Sequence, residues 1–168
     1  LMDDGSYTAL RGALKRFASN ASGAIADEDE KKFLEDAFVE IGDAAIEPLR
    51  SYIRDEEQLT YALRAYRRIT GEAEAVRFFS EILDRYGPDS HRTTDAKLQL
   101  IAQLTENLDD ARVLPTLVPF LLDHSDDVRW VVIDVLDTAI HSGKIDPATI
   151  EKLSAPFGTL VCDTHTGP

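Results

Sequence analysis

The sequence predicts an all-α protein, a short right-handed α-solenoid of about four and a half antiparallel helix pairs forming one domain over residues 1–168. Three observations predict it. Apolar residues recur with a period near 3.6 along almost the whole chain, and no segment alternates strongly enough to build a sheet. One apolar pattern returns at intervals of 30 to 40 residues. The stretch Ala111–His141 reads as two apolar helices joined by a tight polar turn.

Taken in order, Tyr7, Leu10, Leu14, Phe17 and Ala18 stripe a first helix over roughly 6–19, which Asn20-Ala21-Ser22-Gly23 then breaks. Asp27–Glu30 place acids at the start of a second helix, whose expected core face is Phe33, Leu34, Ala37, Phe38 and Ile41, with Gly42 as its stop. Ala45, Ile46, Leu49, Tyr52 and Ile53 make a third. Leu59, Ala62, Leu63, Tyr66 and Ile69 make a fourth, closed by Gly71. Ala75, Val76, Phe79, Ile82 and Leu83 form the fifth and repeat the third after 30 residues. A Gly-Pro loop over Arg85–Thr94 follows. The sixth helix then carries Leu98, Ile101, Ala102, Leu104 and Leu108. Leu83-Asp84 returns as Leu122-Asp123 and as Cys162-Asp163, at intervals of 39 and 40. The repeats fall at roughly 6–42, 43–71, 72–108 and 109–143, with a partial one over 146–168 whose helix, Pro147–Cys162, is expected to be interrupted around Pro156 and Gly158. This regular register favours a solenoid over a plain bundle.

In the central hairpin, prolines at 115 and 119 should start or bend the first helix, since a proline inside a helix removes a hydrogen bond. The second helix gathers Val128, Val132, Val135 and Ala139 on one face, flanked by Val131 and Leu136. The opposite face gathers Trp130, Asp134, Asp137 and His141. Its β-branched run is also compatible with a buried strand, but its length and period favour a helix. Ser125 is placed to cap it, Asp126 and Asp127 complement its dipole, and Gly143 ends it.

Leu122-Asp123-His124-Ser125-Asp126-Asp127-Val128-Arg129, followed by Val132 and Leu136, resembles a HEAT repeat of the type shared with phycobiliprotein lyases. In that family an Asp sits in the turn and Val-Arg opens the second helix. The resemblance implies that second helices line a concave face where a partner sits. It is good in this repeat and partial elsewhere.

A formal charge of −13 argues against phosphate backbones as general partners. The charge is uneven: residues 1–47 carry 5 basic and 11 acidic groups, 48–97 carry 9 of each, and 98–168 carry 4 and 11. No apolar run approaches the roughly 20 residues of a membrane span, and no secretory leader opens the sequence. The single cysteine, Cys162, excludes an internal disulfide and is compatible with a cytoplasmic protein.

The expectation for chemistry is none: no enzyme activity, no cofactor and no metal. The histidines at 91, 124, 141 and 165 lack metal-ligand spacing, and the His-Glu pairs of HEAT-like di-iron hydroxylases do not occur. Cys162-x-x-His165 offers two ligands, too few for zinc, and reads as a core cysteine beside a tail. Asp109-Asp110 and Asp126-Asp127 read as dipole-complementing acids ahead of helices. No nucleophile elbow, phosphate loop or dinucleotide fingerprint is present.

What remains is surface. Tyr61, Arg64 and Arg68, with Arg67 on the flank, form the polar face of the fourth helix. A shift of 69 residues lays Tyr61 on Trp130 and Arg68 on Asp137. Aromatics and arginines are enriched in binding hot spots, so Tyr61, Arg64, Arg68, Trp130, Asp134 and Asp137 are the candidate partner-binding residues. The competing reading packs Trp130 against a neighbouring repeat and pairs the arginines with Glu56, Glu57 or Glu72. The function expected is a non-catalytic scaffold or protein-interaction module. A nucleic-acid-binding protein similar to HEAT-like DNA glycosylases, and a chromophore-handling protein similar to phycobiliprotein lyases, are the alternatives. By the repeat register, Thr164–Pro168 would be the turn before a further helix, which would leave Leu153, Phe157, Leu160 or Val161 bare. The expectation is therefore a longer protein, or self-association through that end.

Overall fold

The computed structural model describes residues 4–19, 23–90 and 93–162, with side chains described as far as Ala155. The described residues are predominantly helical, with no strand among them. The chain divides into two compact units, Leu1–Phe78 and Phe79–Pro168, and one helix runs through the division.

The first unit holds α1 (Asp4–Ala18), α2 (Ala24–Ile41), a 3-10 turn (Gly42–Ala45), α3 (Ile46–Asp55), α4 (Thr60–Thr70) and the start of α5 (Glu72–Tyr86). Packing follows sequence alternation: α1 lies on α3, α2 on α4, and α3 on α4. Gly42 and Gly71 end α2 and α4 with φ of 71° and 88°, and their N–H groups donate to the carbonyls of Phe38 and Arg67. Only glycine reaches that backbone region without a Cβ penalty, so these two residues fix where the pairs turn. Phe17 is the centre of the core. Its ring lies 5.8 Å from Phe38, 6.2 Å from Tyr52 and 5.7 Å from Tyr61.

The inward face of α2 departs from the sequence reading. Phe33 is 72% exposed and Ile41 is also exposed, whereas Lys31 and Glu35 are buried beside Phe38. At about 100° per residue, Asp27, Lys31, Leu34, Glu35 and Phe38 form one stripe and Phe33 lies on the far side. The reason is the neighbour. α4 turns Arg64 and Arg68, four residues apart, toward this face, and Glu35 and Asp36 meet them. An apolar stripe there would leave guanidinium groups against hydrocarbon.

The second unit holds the rest of α5, then α6 (Thr94–Leu104), a 3-10 turn (Thr105–Asn107), α7 (Val113–Leu117), a 3-10 segment (Val118–Leu122), α8 (Asp126–His141) and α9 (Pro147–Cys162). Here α6 lies on α8, the segment Val118–Leu122 packs on α8, and both that segment and α7 pack on α9. The two prolines act as expected: α7 spans five residues and then tightens to 3-10 geometry, with Pro119 in its first turn. Val128, Val132, Leu136 and Ala139 are the buried face of α8, and Val135 is half-buried.

Two details of this unit correct the sequence reading. Ser125 makes no side-chain cap. Instead its N–H donates to Asp123 Oδ1 at 2.9 Å, so the turn carboxylate organises the start of α8. The backbone of α9 is helical from Pro147 to Cys162, without the interruption expected near Pro156 and Gly158. Leu153 is half-buried. The expectations for the side chains of Phe157, Leu160, Val161 and Cys162, for His91, and for Asp163–Pro168 lie outside the described residues.

Candidate functional site

The candidate residues fall in two groups, one in each unit. In the first unit, α4 carries Tyr61, Arg64 and Arg68 because their spacing of three to four residues shares one helix face. Tyr61 is half-buried: its ring stacks on Phe17 at an interplanar angle of 12°, and the Arg64 guanidinium lies 5.6 Å over it. Arg64 Nη2 lies 3.4 Å from Glu35 Oε2, while Arg68 Nη1 donates to Glu35 Oε1 at 3.0 Å and Asp36 Oδ1 at 2.7 Å. Arg67 pairs with Glu72 at 3.5 Å. Arg67 with Glu72 is one of the pairings weighed from the sequence. The partners of Arg64 and Arg68 come from α2, a helix that hydrophobic periodicity turned the wrong way.

A second polar group in this unit was not found from the sequence. Tyr66, fully buried, accepts a hydrogen bond from Arg50 Nε at 3.1 Å and donates to Glu74 Oε1 at 3.2 Å. Arg77 chelates the same carboxylate at 2.6 and 2.8 Å. The Arg77 hydrogen bonds first, then those of Tyr66 and Arg50, hold the Glu74 carboxyl down at about 2. Burial pushes the Tyr66 phenol up. Arg50 and Arg54 also lie 5.6 and 5.4 Å over the Phe78 ring. The signal available was the spacing of Arg50 and Arg54 on α3 and the Glu47–Arg50 pair, but Tyr66, Glu74 and Phe78 lie 16 to 28 residues from Arg50, beyond any local pattern.

In the second unit, Trp130 is 70% exposed, so the reading that buries it against a neighbour does not describe this side chain. At about 100° per residue, Ile133, Asp134, Asp137 and His141 lie within about 60° of it, as do Asp126 and Asp127 one turn earlier. Ile133 is itself 45% exposed. Asp137 Oδ1 lies 3.3 Å from His141 Nδ1, and Arg129 pairs with Asp126 while donating to the Asp123 carbonyl at 2.6 Å. Beside this face an open cleft of about 220 Å³ runs between α8 and the 3-10 turn after α6. Leu108, Val135 and Ala139 give it apolar walls, with Asp134, Thr105 and Thr138 among its polar edges. The cleft went unseen because Val135 reads as core; the structure leaves it half-covered.

Behind the surface, Lys97 and Asp123 form a fully buried ion pair at 2.7 Å. Lys97 Nζ also donates to the Ser90 carbonyl at 2.9 Å and lies 5.8 Å over the Phe120 ring. Asp123 Oδ1 takes the Ser125 N–H, so both carboxylate oxygens are satisfied. His124 adds a contact from Nδ1 to the Pro88 carbonyl at 3.2 Å. These bonds tie the loop before α6 to the turn before α8. Asp110, by contrast, acts locally: it accepts the Arg112 N–H and guanidinium, and those bonds hold its carboxyl below the usual range.

Among the described residues, no group of three or more His, Cys, Asp or Glu is placed to hold a metal ion. Among them too, no helix is long and apolar enough to cross a membrane. No protein-family model matches the chain, and no solved structure matches it. Two surfaces therefore define the site: a self-satisfied aromatic and arginine face on α4, and an exposed aromatic and acidic face on α8.

Proposed function

We propose that the chain is a non-catalytic HEAT-like α-solenoid module of the cytoplasm that binds a protein partner through the outward faces of its second helices. The observation that carries the reading is Trp130, the single tryptophan of the chain, which is 70% exposed next to exposed Ile133. An exposed tryptophan adjoining a second apolar side chain is costly in water and is the residue type most enriched in binding hot spots. The solenoid part draws support from the packing inside each unit, where alternate helices stack on one another: α1 on α3 and α2 on α4, then α6 on α8 and α7 on α9. This is the nearest-neighbour layering that repeat proteins share.

The reading weights α8 over α4. Arg64 and Arg68 already face carboxylates, which makes them poor ligands for phosphate and weakens the nucleic-acid alternative. The test is capture of partners on immobilised protein, wild type beside Trp130→Ala. Loss of a captured partner from the variant, at unchanged thermal stability, supports the module. The same partners captured by both proteins would remove Trp130 as the anchor.

A further inference from the structure

We infer that the α8 face takes a basic peptide segment, with its cations over Trp130 and against Asp134 and Asp137, and one apolar side chain in the adjoining cleft. The inference rests on the partner-binding reading above and adds the chemistry of the partner.

Charge complementarity argues it first. Four carboxylates, Asp126, Asp127, Asp134 and Asp137, share the exposed face of α8 with Trp130. Of the basic groups nearby, Lys144 shares the lining of the adjoining cleft with Asp134, and the other two already have partners. Arg129 is held by the Asp123 carbonyl and Asp126, and His141 sits against Asp137 at the helix end. An acidic surface around an indole suits lysine or arginine, because the ring face attracts a cation and the carboxylates attract it again.

The cleft argues the second half. Small-molecule sites typically enclose roughly 300–1,000 Å³. The cleft here, about 220 Å³, has room for a side chain rather than a whole ligand of that kind. Its Leu108, Val135 and Ala139 walls favour an apolar group, and Lys144, also in its lining, disfavours a cation inside. Cations outside and an apolar anchor inside together describe a peptide rather than a free metal or polyamine. A second copy of the chain fits badly, since a two-fold contact through this face would set the same carboxylates against themselves.

The test uses the full chain and its single tryptophan as reporter. Three amphipathic peptides of one pattern, Leu/Lys, Leu/Gln and Leu/Glu, are titrated while Trp130 emission is followed. The Leu/Lys peptide should shift the emission saturably, more weakly as salt rises. The double variant Asp134→Asn, Asp137→Asn should bind it roughly tenfold or more weakly. The charge swap Asp134→Lys, Asp137→Lys should turn the preference toward the Leu/Glu peptide, a result that misfolding would not produce. Equal responses to all three peptides, or a double variant as tight as wild type, would overturn the basic-segment inference while leaving an α8 contact surface in place. Emission that shifts with protein concentration alone, or that responds to none of the peptides, would also overturn it. The wider partner-binding reading is then decided by the capture experiment on Trp130→Ala.

Discussion

Each unit of this protein buries a charged group, and the two do so in different ways. In the first, Glu35 is 2% exposed, while the guanidinium side chains that face it, Arg64 and Arg68, are 46% and 45% exposed. In the second, Lys97 and Asp123 are both wholly inside. The first arrangement is a buried acid at the edge of a wet surface, whose partners stay nearly half exposed to water. The second is dry on both sides and holds through the ion pair together with the Ser90 carbonyl on Lys97 and the Ser125 N–H on Asp123. The difference teaches where specificity resides. A half-wet pair can be loosened with water replacing the lost partner, whereas a dry pair fixes the geometry of two loops and tolerates little error.

The largest expected effect breaks the dry pair. Lys97→Met strands Asp123 in the core of the second unit and should cost about 3–5 kcal/mol, read from the urea midpoint. Asp123→Leu alone should cost a comparable amount. The double variant should cost clearly less than the two singles summed, because neither charge is then left alone. Additive losses would show that the two groups are not coupled as their 2.7 Å separation implies.

A smaller loss is expected on the wet side. Glu35→Gln leaves Arg64 and Arg68 exposed enough to turn to water, and Arg68 retains Asp36, so the cost should be about 1 kcal/mol. A loss as large as that of Lys97→Met would erase the distinction between the two arrangements.

Acid titration sharpens the contrast within the first unit. Glu74 has a folded-state value of about 2 against an ordinary 4.5, so its ionised form is favoured by folding. The sign follows from the depressed value: its contribution is complete above about 4.5 and fades as pH falls toward about 2. Glu74→Gln should therefore destabilise the protein modestly at neutral pH, with the gap from wild type closing as the solution is acidified through that window. A gap that stays constant with pH would mean that the carboxylate charge is not what Arg77, Tyr66 and Arg50 recognise.

Much of this fold was legible because its elements are local. The core positions of α3, α4 and α5 follow directly from helical spacing, and Gly42 and Gly71 mark the ends of α2 and α4 by backbone chemistry alone. The sequence set Trp130 opposite Val128 and Val132 but left open whether it packs on a neighbouring repeat, a question that the structure decides with 70% exposure. What was not legible depends on partners distant in the chain. Nothing near Lys97 announces that Asp123 will neutralise it, and nothing near Arg64 announces Glu35. Hydrophobicity could not orient α2 either, because its inward face meets the Arg64 and Arg68 side chains as well as the Phe17 ring.

The smallest expected effect tests that last point. Phe33 and Phe38 stand five residues apart on the same helix, and composition gives no reason to separate them. In the structure Phe38 is 2% exposed and in ring contact with Phe17, while Phe33 is 72% exposed. Phe38→Ala should cost about 3–5 kcal/mol, the usual price of removing a core aromatic. Phe33→Ala should change the urea midpoint by an amount within about 0.5 kcal/mol, as surface substitutions do. If Phe33→Ala costs as much as Phe38→Ala, then α2 buries the face that its hydrophobic residues mark. Glu35 would then turn outward and Arg64 and Arg68 would lose their nearest carboxylate. The half-wet ion pair of the first unit would fall with it, so this near-silent substitution is a sensitive check on the contrast between the two units.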